Sequence, residues 1–176
     1  MTNFTIAVTG HRPNKISRQL YSVDSPLSKK YIKILKDYIL ESVVSVDINN
    51  NIQCVSGMAL GVDTLFALAV LELKSESHDH NFSLYCAIPC ENHSSKWIAS
   101  SIDMYNAIMA KADKIVYVSN QPYSHSCMQD RNKHMVDIAN QLIAVWDGTA
   151  GGTGNCVKYA KQVGKWITYI NPKQIF

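Results

Sequence analysis

The chain has 176 residues, of which 47% are apolar and 18% charged, as expected for one domain with a buried core. Its formal net charge of +3 is small and its Lys and Arg residues are dispersed, which argues against electrostatic recognition of nucleic acid. No run of the sequence approaches the roughly 20 apolar residues of a membrane span, so we expect no membrane-spanning segment.

The cysteines and the first residues of the chain indicate the cellular compartment of the protein. The five cysteines are odd in number, form no CxxC pair, and include Cys54 and Cys86 inside apolar runs. This pattern is typical of reduced thiols rather than of a disulfide framework. The first residues, MTNFTIAVTGHRP, contain no apolar run of signal-peptide length. With a richness in Asn, Lys and Ile that is typical of AT-rich genomes, these features predict a cytoplasmic protein of bacterial or phage origin.

Apolar runs of strand length alternate along the chain with segments of helical period. Strands that are apolar on successive residues are typical of a parallel sheet with helices on both faces. We therefore expect an α/β fold, a single Rossmann-like domain over residues 1–176 whose three layers contain a doubly wound, mostly parallel sheet of about six strands. The predicted strands are 4–10, 52–57, 82–89, 114–119, 141–148 and 166–171, and the predicted helices lie near 26–46, 61–76, 94–111, 127–140 and 154–163.

In such a fold the ligand binds beyond the carboxyl ends of the strands, so the loop after each strand is a candidate site. After the first strand comes TGHRP, in which Gly10 permits a sharp turn. Arg12 can hold a phosphate with two hydrogen bonds, and His11 can bond to a base or stack on it. The alternative is a surface turn whose charged groups face water.

After the second strand comes SGMALGVD, which leads into an apolar helix. Free backbone N–H groups at the start of that helix point toward the ligand edge, so Ser56, Gly57 and Gly61 are candidate ligand-binding residues. Asp63 either bonds a ribose hydroxyl or is stabilised by the helix dipole in the first turn.

The segment after the third strand can line one wall of a pocket with Glu91, His93, Lys96 and Trp97. Cys90 and His93 suggest a nucleophile or a metal site, but neither a third ligand nor an orienting group lies at a suitable spacing. We therefore expect an ordinary loop and helix start here, and no metal.

The segment after the fourth strand contains a basic residue beside an apolar stripe of predicted helix. Arg131 and Asn132 lie near the face that carries Met128 and Met135, and an arginine there can reach a phosphate or a ribosyl oxygen. The alternative is an internal salt bridge from Arg131 to Asp137 or another neighbour.

After the fifth strand comes VWDGTAGGTGNC, which leads into the last predicted helix. Asp147 helps to turn the chain, and the glycines that follow let the backbone approach an anion at the start of the helix. The candidates here are Asp147, Gly151, Gly152, Thr153 and Gly154. Because the GxxxxGK[ST] pattern is absent, and no GxGxxG follows the first strand, neither a P-loop protein nor an ordinary NAD dehydrogenase is indicated.

In combination these loops resemble those of the SLOG superfamily, a Rossmann-like group that includes the lonely-guy enzymes and the DNA-processing protein DprA. Within it the YpsA-like branch is the most similar. The resemblance rests on TGHRP at 9–13, SGMALGVD at 56–63, MQDRN with Met135 at 128–135, and VWDG with GGTG at 145–154, and it covers nearly the whole chain.

The resemblance implies that the glycine loops surround a nucleotide or a nucleotide-derived molecule and that Arg131 matches the arginine of the lonely-guy motif. The lonely-guy enzymes hydrolyse the N-glycosidic bond of a nucleoside monophosphate with a glutamate shortly after the glycine loop. Here Asn155, Cys156, Val157 and Lys158 follow GGTG, so that carboxylate is missing. Asp63, Glu91 or Asp147 would have to replace it.

Three functions are compatible with these features. The first is binding of a nucleotide-derived small molecule, such as an ADP-ribose-like or cyclic nucleotide signal, for sensing or sequestration, as in phage defence. The second is N-glycosidic hydrolysis of a nucleotide, and the third, which the dispersed charge disfavours, is binding of single-stranded DNA. We expect no cofactor beyond the nucleotide-derived ligand. We also expect a homodimer or higher homo-oligomer, with residues 104–112 and 128–139 as a candidate interface.

Overall fold

The computed structural model describes residues 3–47, 49–76 and 78–175. Within these ranges six strands alternate with helices, as predicted. The strands are β1 (Asn3–Gly10), β2 (Asn51–Ser56), β3 (Asn81–Ile88), β4 (Lys114–Tyr117), β5 (Gln141–Val145) and β6 (Trp166–Ile170). The helices are α1 (Pro13–Ile16), α2 (Pro26–Val43), α3 (Val62–Ser75), α4 (Ala99–Met109), α5 (His125–Ile138) and α6 (Gly152–Gln162), with short 3-10 helices at Arg18–Tyr21 and Pro172–Gln174.

The helices differ from the predicted ones at two places that matter for the site. The short helix α1 was not predicted, although Pro13 lies in its first turn, where proline is favoured. Helix α6 begins two residues earlier than predicted, so that two glycines of the GGTG motif are already helical. Both differences bring helix starts to the carboxyl edge of the sheet.

All six strands are parallel, in the order β4-β3-β2-β1-β5-β6. Successive strands are added on one side from β1 to β4, after which the chain crosses to the other side of β1 for β5 and β6. The strand order therefore reverses between β1 and β5. Open parallel sheets bind ligands at such a switch point, outside the carboxyl ends of the strands.

The two faces of the sheet have separate apolar cores, which confirms the three-layer, doubly wound fold. Helices α2, α3 and α4 cover one face, where Tyr31, Leu35 and Phe66 are fully buried. Helices α5 and α6 cover the other face with a smaller cluster that includes Met135 and Ala160. Strand β1 contributes to both layers because successive side chains of a strand point to opposite faces.

The cysteines, and part of the segments predicted to form a dimer interface, are buried. All five cysteines are buried and free, and burial raises the pKa of Cys156 to about 11. Ile108 and Met135, from the segments predicted to form a dimer interface, are in the cores, so dimerisation through the rest of these segments stays a proposal. No helix in the described ranges is long and apolar enough to cross a membrane.

Candidate functional site

A cleft of about 360 Å³ opens at the switch point, where the loops after β1, β2 and β5 meet the start of α5. Eight of the residues predicted from the sequence line it: Gly10, His11, Arg12, Asp63, Arg131, Asn132, Gly152 and Thr153. Eight residues that the prediction did not include also line it: Thr9, Asn14, Lys15, Ala59, Tyr123, His125, Met128 and Gln129.

The charged side chains on the walls of the cleft make it cationic. The lining residues include three cationic side chains and one carboxyl group, namely Arg12, Lys15, Arg131 and Asp63. Arg12 and Lys15 are exposed at the mouth, whereas Arg131 and Asp63 are 4% and 6% exposed. An anionic group of a ligand would therefore meet exposed cations at the mouth and a buried ion pair at the base.

Helix α6 begins at the cleft with backbone N–H groups free for a ligand. Its N-cap, Gly151, has a φ of 140°, and within the described chain no side chain caps the helix. The hydrogen bond from Asn155 N to Gly151 O, 2.9 Å long, starts the helical ladder, so the preceding N–H groups lack helical acceptors. No atom lies within 4 Å of the position that a Cβ of Gly152 would occupy, which leaves room for an anion at the positive end of the helix dipole.

Lys15 adds a positive charge to the same helix start. Its Nζ donates a hydrogen bond to Ala150 O at 2.9 Å and lies 2.9 Å from where a Cβ of Gly151 would be. Helix α1 provides this lysine, and its proline start was the signal in the sequence that could have revealed it. Tyr123 lies just before α5, and His125 is the first residue of that helix. Both belong to a polar stretch of the sequence, in which no comparable pattern marks a ligand-binding residue.

At the base of the cleft, Asp63 of α3 and Arg131 of α5 form a buried ion pair. Arg131 Nη1 lies 3.6 Å from Asp63 Oδ2 and donates a hydrogen bond to Gly57 O, while its Nε donates to Asn132 Oδ1 at 3.0 Å. Asp63 also accepts a bond from Ala59 N at 3.3 Å. Burial raises the pKa of Asp63, an effect that the charge of Arg131 opposes, and burial lowers the pKa of Arg131.

The other predicted residues build the loops instead of lining the cleft. Ser56 Oγ donates to Asp63 O at 2.7 Å and thereby holds the β2 loop to α3. Gly61 has a φ of 92°, which favours glycine, and it packs on Pro13. Ser56, Gly57, Gly61, Asp147, Gly151 and Gly154 are the predicted residues that lie outside the cleft lining.

Gly57 leaves the space that the Arg131 guanidinium occupies. A Cβ at this position would lie 2.0 Å from Arg131 Nη1 and 2.8 Å from Asp63 Oδ2. We expect Gly57→Ala to lower the free energy of unfolding by about 2 kcal/mol, because overpacking displaces a buried, paired group. Urea unfolding measures this change.

Gly152→Ala is the matched control for Gly57→Ala, since a Cβ at position 152 meets no atom within 4 Å. Its free energy of unfolding should stay within about 0.5 kcal/mol of that of the parent protein. Equal losses in the two variants would contradict the close packing of Arg131 on Gly57.

Asp147 holds the side chain of His11 at the edge of the cleft. The two are joined by a 2.7 Å hydrogen bond from His11 Nε2 to Asp147 Oδ1, which also accepts from the Thr149 hydroxyl at 2.6 Å. Lys173 Nζ lies 3.2 Å from the other carboxylate oxygen. These donors, with Thr149 foremost and His11 next, lower the pKa of Asp147. Asp147 itself lines a separate cavity of about 610 Å³, so its link to the cleft runs through His11.

A third cavity, of about 490 Å³, lies beside the cleft. Of the four residues named as a possible pocket wall after the third strand, His93, Lys96 and Trp97 line it, and Glu91 does not. The remaining lining residues are Arg12, Asn92, Ser95 and Tyr123.

The cysteine of the same segment, Cys90, is buried. Its thiol lies beside that of Cys127, and burial raises the pKa of the Cys90 thiol to about 11. In the described ranges no three His, Cys, Asp or Glu side chains are grouped so that they could hold a metal ion.

Comparison with known proteins agrees with this architecture. The family model YpsA, described as the YspA SLOG family, matches residues 6–175. The uncharacterized SPbeta prophage-derived protein YoqJ of Bacillus subtilis is 31% identical over 140 residues, which cover 73% of this chain and 81% of that protein. A UPF0398 protein of Bacillus pumilus is 26% identical over 151 residues, covering 84% of this chain and 76% of its own length.

A solved structure is similar in fold. It is DNA processing protein A from Helicobacter pylori, whose title describes a single-stranded DNA binding mode. The TM-score is 0.61 at 13% sequence identity, over 97% of this chain. The chain spans 66% of the length of that solved chain, so the likeness concerns the shared fold.

The strand order, the two helical layers and the cleft at the switch point define a Rossmann-like α/β domain. The chain belongs to the YspA SLOG family, which confirms the resemblance to the YpsA-like branch and supports a nucleotide-related role. The prophage-derived relative is consistent with a bacterial or phage origin.

Proposed function

We propose that the chain binds a nucleotide or nucleotide-derived small molecule in the switch-point cleft, for sensing or sequestration. The observation that carries the proposal is the start of α6, where free N–H groups and the Lys15 ammonium border the same open space. Backbone donors, a helix dipole and a cation together are a common way to bind phosphate. Arg12, exposed at the mouth, supplies a second cation.

The fixed polar groups of the cleft suit the sugar of such a ligand. Asp63 and Asn132 line the wall next to Arg131, and carboxylate and amide oxygens accept hydrogen bonds from ribose hydroxyls. The ion pair with Arg131 holds the Asp63 carboxylate in place. We therefore assign the phosphate to the start of α6 and the ribose to the wall formed by α3 and α5.

Calorimetric titration tests the proposal with AMP, ADP, ADP-ribose, a cyclic nucleotide and ribose 5-phosphate as ligands. We expect at least one of them to bind, and Lys15→Gln to weaken that binding by about tenfold, because a charged hydrogen bond to phosphate contributes about 1.5 kcal/mol. Lys15 is exposed, so the variant should keep its fold.

Lys33→Gln is the charge-matched control. Lys33 lies on α2, where it pairs with Asp37 at 3.0 Å and is 78% exposed, away from the cleft lining. It should leave the affinity unchanged. An absence of heat and of any thermal shift across the whole set of ligands would disprove the proposal.

A second candidate function, N-glycosidic hydrolysis of a nucleotide, is favoured by the position of Asp63. Of the three carboxyl groups that could replace the missing glutamate, Asp63 lines the cleft. The raised pKa of its carboxyl group suits proton transfer, but the contacts with Arg131 and Ala59 N restrain it. Analysis of the same titration mixtures for released base tests this candidate, and intact ligand after prolonged incubation would rule it out for the nucleotides used.

Two further expectations remain proposals beside the binding function. The dispersed surface charge disfavours single-stranded DNA as the ligand, although the protein of similar fold is described as binding it. Homodimerisation would use the exposed parts of the segments 104–112 and 128–139. Light scattering measures the oligomeric state, and retardation of labelled oligonucleotides measures binding of DNA.

A further inference from the structure

We propose that the cavity beside the cleft, bordered by His93, Trp97 and Tyr123, holds the base of the nucleotide whose phosphate occupies the start of α6. The inference rests on the proposed function and adds the position and chemistry of a second subsite. From here on we call this cavity the side cavity.

The side cavity and the cleft share part of their walls. Arg12 and Tyr123 line both, so a ligand can extend from one to the other along these two side chains. Each cavity has a volume in the range of small-molecule sites, roughly 300–1,000 Å³. The pair therefore suits an elongated ligand with a charged end in the cleft and a second group beyond Arg12.

Aromatic side chains make the side cavity suitable for a planar ring. Tyr123, at the boundary with the cleft, is 49% exposed, so its ring is available to a ligand. Trp97 is held edge-on by His93 and Tyr105, with ring centroids 4.9 and 5.6 Å away. A fixed indole and an exposed phenol beside a cationic site are the features with which proteins stack nucleobases.

His93, which lines the side cavity, has a buried ring nitrogen without a hydrogen-bond partner in the described chain. Its Nε2 lies 3.1 Å from Met58 O, and since a carbonyl accepts, Nε2 carries the proton of the neutral ring. Nδ1 is then an acceptor, and within the described chain it has no hydrogen-bond partner. Every nucleobase has N–H donors at its edge that can bond to such a nitrogen.

The charged groups around the side cavity disfavour a positively charged group of the ligand. Arg12 and Lys96 line the cavity, and no carboxylate is among its lining residues, so a protonated amine or a guanidinium would be repelled. A neutral heterocycle with acceptor atoms is compatible with these cations. Asn92 Oδ1 accepts a bond from Tyr123 N at 3.0 Å and so positions the phenol over the boundary.

AMP and ribose 5-phosphate form the matched pair of probes, because they differ by the base. We expect the parent protein to bind AMP about tenfold more tightly than ribose 5-phosphate, and Tyr123→Ala to remove most of this ratio through loss of stacking. Tyr123→Phe should retain the ratio. AMP should also quench the fluorescence of the parent protein, and the part of the quenching due to Trp97 should disappear in Trp97→Phe.

The possible failures are distinguishable. If both probes bind equally and Tyr123→Ala changes neither affinity, the base subsite is wrong while the phosphate site stands. If neither probe binds but another ligand of the titration set does, the base subsite is wrong and the binding function stands. If no ligand of the set binds, both proposals fail. If a thymidine oligonucleotide binds with strong salt dependence and AMP does not, the two cavities belong to a nucleic-acid groove, which overturns both proposals.

Discussion

Replacing Asp63 by alanine is expected to lower the free energy of unfolding by about 3 kcal/mol, as is typical when one partner of a buried ion pair is removed. The reason is Arg131, a residue that is 4% exposed and whose guanidinium would lose its nearby carboxylate. Ala59 N would also lose its acceptor. Urea unfolding at pH 7 measures the change.

Two variants show whether the loss arises from the unpaired charge. Asp37→Ala removes an exposed i,i+4 pair with Lys33 and should cost less than about 0.5 kcal/mol. The double variant Asp63→Ala, Arg131→Met should recover part of the loss, since no buried charge is then left alone. A loss for Asp63→Ala no larger than that for Asp37→Ala would contradict the buried pair.

Acid should destabilise the fold through His93. Burial, with a smaller contribution from the charge of Arg131, lowers its pKa to about 4 from the ordinary 6.5. The unfolded chain therefore binds a proton at a higher pH than the folded chain, and stability that is complete above pH 6.5 is lost as the pH falls toward 4. The loss amounts to about 3 kcal/mol, and His93→Gln should remove it from the pH profile of unfolding.

Trp97→Phe is the control for this pH dependence. Trp97 packs against His93, so the variant disturbs the same cluster without removing a titratable group. It should lower stability by a similar amount at every pH and leave the slope between pH 6.5 and 4 as in the parent protein. A parental slope in His93→Gln would show that His93 is not the group responsible.

The sequence was sufficient for the fold and for the edge of the sheet at which the candidate site lies. Strand β5 is buried at every residue, and β1 over most of its length, so their continuous apolar runs predicted a covered parallel sheet. Because the carboxyl ends of parallel strands share one edge, the loops with Arg12, Asp63 and Gly152 were expected together. The structure places all three on one cleft.

The sequence was insufficient where contacts join distant residues. Arg131 was expected to reach a ligand or to pair with Asp137 or another neighbour, and the structure pairs it with Asp63, while Asp137 accepts a 2.7 Å bond from Tyr159. The position of Gly57 beside the guanidinium depends on two elements 74 residues apart. Sequence periodicity describes each element alone, so it does not give such pairings.

Lys15 and Tyr123 escaped prediction for a different reason. Each lies in a short polar segment where no apolar pattern sets the direction of the side chain. Lys15 faces the cleft because α1 turns just after β1, and Tyr123 does so because Asn92 bonds its backbone. Both depend on local turns that periodicity does not encode.

The buried ion pair between α3 and α5 has a consequence for the entropy change when a ligand binds. Asp63 and Arg131 make one wall of the cleft preorganised, so a ligand loses little affinity to the ordering of that wall. Tyr123, which also lines the cleft, is exposed, and its backbone N–H donates a hydrogen bond to Asn92. We therefore expect the segment before α5 to adjust to the ligand, while the ion-paired wall acts as a rigid template.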